Sequence, residues 1–134
     1  MFKTRILSLV LLYGIISPIT EEIVFRGLVY NRLRRTFSLP ISLIASSLLF
    51  GIYHGNIVQA LYGFLLGLLI AWIYEKYGSF LMPVLIHSAA NITIYIVMSN
   101  QYLKHIVITP IFCLLMAVVT AVLIILICSQ KTNK

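Results

Sequence analysis

Apolar runs of membrane-crossing length, separated by short polar breaks, constrain this chain more than any other feature. They cover about Ile6 to about Tyr30, Ile41 to Tyr53, Ile57 to Tyr74, Phe80 to Met98 and Ile106 to Cys128. A bilayer's hydrocarbon core is about 30 Å thick and takes about 20 apolar residues as a helix. Inside lipid the backbone has to satisfy its own hydrogen bonds, which a helix does within one segment. The runs therefore predict an all-α fold, a polytopic transmembrane bundle of about five spans. In 134 residues such spans use nearly the whole chain. One membrane-embedded domain is expected over 1–134, with its chemistry between about 15 and 98 and no water-soluble module.

Charge agrees with that solvent. Only 10% of residues are charged, against roughly 25% in a soluble domain. The net charge of +7 sits at the ends of apolar runs: Lys3 and Arg5; Arg32, Arg34 and Arg35; Lys76; Lys104; Lys131 and Lys134. That is where Lys and Arg meet lipid headgroups and set orientation. The partner it implies is lipid, and nucleic acid is excluded because no folded aqueous face remains to carry a basic surface. Counting by side puts Arg32, Arg34, Arg35, Lys76, Lys131 and Lys134 against Lys3, Arg5 and Lys104, which predicts a cytoplasmic C-terminus. Cys113 and Cys128 share one run, roughly 22 Å apart along a helix, too far for a disulfide. They read as apolar core residues.

The breaks have local causes. Pro18 should kink or restart the first helix just before Glu21, because its ring clashes with the preceding turn and it has no N–H. "NRLRRTFSLP" reads as a basic loop, "HGN" as a tight break and "EKYGS" as a turn. Lys3, Arg5 and the apolar run after them resemble a signal peptide, but no small-residue cleavage site follows, so the segment is read as a retained span. Gly51 and Gly55, like Gly63 and Gly67, have the spacing that lets helix backbones approach closely. Tyr53, Tyr62, Trp72, Tyr74, Tyr77 and Tyr95 suit interfacial belts or helix packing, and His105 beside Lys104 suits the interface.

The chain holds three carboxylates, and two of them, Glu21 and Glu22, are adjacent. Ionisable groups within a span are costly and mark functional sites. Glu22 and Arg26 are four apart and can pair on one helix face, while Glu21 points about 100° away. One carboxylate is committed to holding Arg26 and the other is free to react. Phe50 and His54 in the second run, and His87 and Asn91 in the fourth, repeat the four-residue spacing. Converged, these groups could activate a water and stabilise an oxyanion. Taken singly they have plainer readings: a histidine or Asn91 as an interhelical hydrogen bond, Phe50 as packing, Glu22–Arg26 as a structural ion pair. No Ser or Cys pairs with a base in sequence. Ser88 adjoins His87 but lies about 100° away from it on a helix, which favours direct attack by water over an acyl-enzyme.

"EEIVFR" (21–26), "FGIYH" (50–54) and "HSAAN" (87–91) resemble, in order, the EExxxR, FxxxH and HxxxN signatures of the CAAX prenyl endopeptidase and bacteriocin-processing (CPBP, or Abi) family of intramembrane proteases. The resemblance implies an intramembrane endopeptidase acting on a membrane-anchored protein or peptide. Glu21 would activate the water, with Glu22 as its neighbour tied to Arg26. His54 would hold or polarise the water, and His87 and Asn91 would stabilise the oxyanion. It leaves open a metal-free mechanism or one using zinc or another divalent metal on Glu21, His54 and His87, although no HExxH is present. Members often have further N-terminal spans, so the chain is expected to be a minimal member, an N-terminally shortened form or an oligomer. The rival readings are a non-catalytic bacteriocin self-immunity protein that keeps the polar cluster, and a metal or proton carrier. The small size suggests a bacterial plasma membrane.

Overall fold

The computed structural model describes residues 8–99 and His105. The fifth predicted run, Cys113, Cys128, and the basic residues Lys3, Arg5, Lys104, Lys131 and Lys134 lie outside the described residues. Within them the chain is helical, without strands. Four long helices follow one another: α1 (Ser8–Thr36), α2 (Leu39–Tyr53), α3 (Ile57–Tyr77) and α4 (Leu81–Ser99). Three of them, α1, α3 and α4, are long and apolar enough to cross a membrane; α2 is apolar but shorter. Its 15 residues give a rise of about 22 Å.

Pro18 does not restart α1. The preceding residues Ile16 and Ser17 keep right-handed helical dihedrals. The helix instead widens into a π turn over Leu12–Ile16, in which the Ser17 N–H donates to the Leu12 carbonyl five residues back. A π turn lets the ladder shift by one residue, so the proline is absorbed at that shift. A second π segment spans Ile23–Tyr30, and the short α-helical stretch between the two carries both glutamates. The expected basic loop is also mostly helix. Asn31–Thr36 continues α1, and the chain turns only at Phe37 and Ser38, whose backbones are extended. Asn31 and Arg34 are tied to α3 by side-chain bonds, so the helix runs on where composition suggested a loop. Pro40, in the first turn of α2, sits where its missing N–H costs nothing.

α2 ends at His54, and Gly55 follows with φ +67°, a conformation side chains disfavour. Asn56 then caps α3, its Oδ1 accepting from the Val58 and Gln59 N–H groups. α3 closes at Gly78, φ +62°, whose N–H donates to the Tyr74 carbonyl, the left-handed ending common at helix C-termini.

Close approach of α2 and α3 forms the tightest seam. A Cβ at Gly67 would lie 3.2 Å from Ser47 Cα, and one at Gly51 would lie 2.5 Å from the Ala60 carbonyl oxygen. Gly63 faces Gly51, where a Cβ would meet its Cα at 3.4 Å. The 63/67 pair therefore acts as a small-residue packing motif. The 51/55 pair does not: Gly55 lies beyond the helix and a Cβ there would meet nothing within 4 Å. Spacing showed where small residues recur but not that the helix stops between them.

Candidate active site

Each motif residue gets its place from its helix. Glu22, fully buried at 0% exposure, has two partners. Its Oε2 lies 3.0 Å from Arg26 Nε, one turn on, as the spacing predicts. Its Oε1 accepts from His87 Nδ1 at 2.8 Å, a bond between α1 and α4 that no local spacing shows. Arg26 is buried with it: Nη2 donates to the Gly67 carbonyl at 3.2 Å, and its guanidinium carbon lies 4.9 Å above the Phe50 ring centre. A buried cation is tolerable only with such partners.

Glu21 faces the other way, with 12% of its side chain exposed. Ser17, one turn earlier, donates its hydroxyl to Glu21 Oε1. The other oxygen, Oε2, is buried and has no hydrogen-bond partner. It lies 3.7 Å from His87 Nε2, too far for a direct hydrogen bond but close enough for one water to reach both atoms. Because a carboxylate such as Glu22 only accepts, His87 carries a proton on Nδ1. In the neutral ring its Nε2 lone pair then points toward Glu21. Sequence reasoning missed Ser17, although Ser–x–x–x–Glu places the two side chains on one helical face.

His54 is held differently. Its Nδ1 donates to the carbonyl of Phe50 in its own helix at 2.8 Å, which leaves Nε2 as the acceptor in a neutral ring. Phe50, with 0% exposure, touches both histidines, its ring centre 5.0 Å from that of His54 and 5.4 Å from that of His87, edge to face in both cases. Phe25 packs on it at 5.0 Å. Phe50 is thus the packing hub of the site. A side chain at Gly63 would put its Cβ 3.4 Å from His54 Nδ1, so that glycine makes room for the ring. Asn91 joins neither carboxylate: its Nδ2 donates to the Tyr13 carbonyl at 3.0 Å.

The structure therefore brings together Glu21, Glu22, Arg26 and His87, packs His54 against Phe50, and places Asn91 further along the α1–α4 seam. A cavity of about 300 Å³ adjoins Glu21, lined by Ser17, Thr20, Val24, Phe25 and Tyr53 as well. Among the described residues no three His, Cys, Asp or Glu side chains form a group that could hold a metal ion. Glu21 and His87 offer two donors near one point, but with His54 they do not make a metal-binding group in this arrangement.

A second polar cluster was not anticipated. The third carboxylate, Glu75 at the end of α3, accepts from the Tyr30 hydroxyl at 2.8 Å and from Arg34 Nε at 3.0 Å. Beside it, Asn31 Nδ2 donates to the Tyr74 hydroxyl. The available signal was that the topology already put the basic 32–35 cluster and the "EKYGS" turn on one side of the membrane.

These features define an integral membrane protein whose helices enclose a buried carboxylate–imidazole site. The model of the family described as "Type II CAAX prenyl endopeptidase Rce1-like" matches residues 3–93, and the chain belongs to that family. It is 30% identical over 80 residues to "UPF0177 protein YxdF" of Lactococcus lactis subsp. lactis (strain IL1403), a match covering 59% of this chain and 44% of that protein. It is 26% identical over 97 residues to "Putative membrane peptidase YdiL" of Bacillus subtilis (strain 168), covering 72% of this chain and 39% of that one. The matches thus span less than half the length of these curated relatives. No solved structure matches.

Proposed function

We propose that the chain is an intramembrane endopeptidase that hydrolyses a peptide bond of a membrane-anchored protein or peptide, in a bacterial plasma membrane, with its C-terminus in the cytoplasm. The observation that carries the reading is the buried Glu21 Oε2, without a hydrogen-bond partner, 3.7 Å from His87 Nε2. A water between them loses a proton to Glu21 while its oxygen bonds to the peptide carbonyl carbon. The carbonyl π pair moves onto oxygen, giving a tetrahedral oxyanion. When that collapses, the C–N bond breaks and the leaving nitrogen takes the proton that Glu21 holds. His87 orients the water through Nε2, and the Glu22 carboxylate on its Nδ1 stabilises the ring if it becomes cationic. That is the role a buried carboxylate plays behind a catalytic imidazole. Ser17 fixes Glu21 by one oxygen and leaves the other for chemistry. His54 packs edge to face on Phe50, as His87 does, and takes no part in these steps. Membership of a CAAX-type protease family supports the same reading.

The test uses purified protein reconstituted in lipid and a panel of membrane-anchored peptides. Glu21→Gln keeps the shape and the Ser17 bond but cannot take a proton. General-base loss of about 10²- to 10⁴-fold in cleavage is expected with an unchanged melting temperature. Cleavage at the wild-type rate would remove Glu21 from the mechanism.

A further inference from the structure

Backbone carbonyls inside a helix ordinarily take their donor from the same helix, so the bond from Asn91 Nδ2 to the Tyr13 carbonyl at 3.0 Å calls for a cause. Over Leu12–Ile16 the ladder runs five residues back, with the Ser17 N–H on the Leu12 carbonyl. The next carbonyl in that ladder is Tyr13's, and its donor would be residue 18. Residue 18 is proline, which has no N–H. A carbonyl left open within a span has no bulk water to turn to.

An independent feature brings Asn91 within reach. Gly14, next to Tyr13, is buried, and a Cβ there would lie 2.8 Å from Ile92 Cγ1. α4 can back onto α1 at this point because residue 14 has no side chain, and Ile92 adjoins Asn91. The α1–α4 seam then has two polar rungs four residues apart on α4: His87 on Glu22 and Asn91 on Tyr13. A π turn holds one more residue than an α turn. If it relaxed to α geometry, the helix on one side would turn by about 100° relative to the other.

We propose that Asn91 is a positioning residue: by giving Tyr13 the hydrogen bond that Pro18 withholds, it fixes the widened turn of α1 and with it the aim of Glu21 at His87. Its effect on cleavage rests on the function proposed above; the bond itself does not. This differs from the role implied by the HxxxN resemblance, in which the amide would touch the reacting oxyanion.

Three variants test it: Asn91→Ala, Pro18→Ala and the double. Labelling with [1-13C]Tyr and [15N]Gly selects the Tyr–Gly peptides at 13–14, 62–63 and 77–78, so two serve as internal controls in NMR of the reconstituted protein. In Asn91→Ala the Tyr13 carbonyl resonance is expected to move upfield, with the other two in place and the melting temperature lowered. Pro18→Ala restores an N–H at residue 18, so the double variant should regain both the resonance and the melting temperature. An unmoved Tyr13 resonance in Asn91→Ala, or no recovery in the double, overturns the proposal. Should Asn91→Ala fail to fold, recovery of folded protein in the double supports the proposal and continued failure overturns it. Where wild type cleaves peptide, Asn91→Ala should lose at least tenfold in kcat and the double should regain it. A double variant with a restored carbonyl but no cleavage would mean that Asn91 acts on the reacting oxygen, against the proposal. If wild type cleaves nothing, the proposed function falls while the carbonyl and stability results still decide this inference.

Discussion

Replacing Glu22 with glutamine would take one negative charge out of a site where a buried arginine depends on it. Glutamine keeps the shape and an oxygen that can accept from His87 Nδ1, so the change isolates the charge. What remains around the Arg26 guanidinium is the Gly67 carbonyl at 3.2 Å and the face of Phe50 at 4.9 Å. Removing one partner of a buried ion pair costs about 3–5 kcal/mol, because the other charge is left uncompensated. A desolvated cation over an aromatic face recovers up to about 2 kcal/mol, but that contact is present before and after and does not offset the loss. The expected destabilisation is about 3 kcal/mol, at the low end because the carbonyl also stays. Reversible unfolding in mixed micelles, followed by circular dichroism, measures it. Adding Arg26→Met removes the stranded cation, and the double variant should return to within about 1 kcal/mol of wild type, since apolar replacements of buried pairs are often neutral. If Glu22→Gln is within about 0.5 kcal/mol of wild type, or the double is no better than the single, the Glu22–Arg26 pair does not anchor the site.

Ser17→Ala removes the hydroxyl that holds Glu21 Oε1. Cleavage should fall by about tenfold, the worth of one oriented hydrogen bond to a charged group of about 1.5 kcal/mol, with folding unchanged. Abolished cleavage in the variant, together with a covalent adduct at Ser17 in wild type, would instead make that serine a nucleophile. Glu75→Ala strands the hydroxyl of the buried Tyr30 and frees Arg34, which is partly exposed. The cost should be about 1–2 kcal/mol, chiefly the unsatisfied hydroxyl and little from the exposed ion pair. It should appear in thermal unfolding without a change in cleavage, and Tyr30→Phe in that background should restore about 1 kcal/mol.

The amino-acid sequence by itself settled the solvent and the fold class, because long uncharged runs leave helices in lipid as the outcome. It also fixed α3 and α4 to within a few residues, since Asn56 and Gly78 punctuate α3 through local backbone rules. The Glu22–Arg26 pair was readable for the same reason: four residues of helix make neighbours of any two side chains. Where the reading erred, the deciding force was not local. "NRLRR" became helix because α3 supplies Tyr74 and Glu75 to hold it. Pro18 was absorbed in a π turn whose open carbonyl is met by a side chain 78 residues away.

Tertiary structure alone decided which groups face one another. Sequence spacing gave Glu22 one partner; packing of α4 gave it His87 as a second, and so fixed which imidazole nitrogen looks toward Glu21. It packed His54 and His87 each edge to face against Phe50, and sent Asn91 to the Tyr13 backbone carbonyl. Periodicity assigns a side chain to a face of its own helix. The rotation and depth of that helix against its neighbours come from where glycines allow contact, at Gly14 against Ile92 and at Gly51, Gly63 and Gly67 between α2 and α3. Those choices are made by pairs of surfaces meeting, which no single stretch of chain contains.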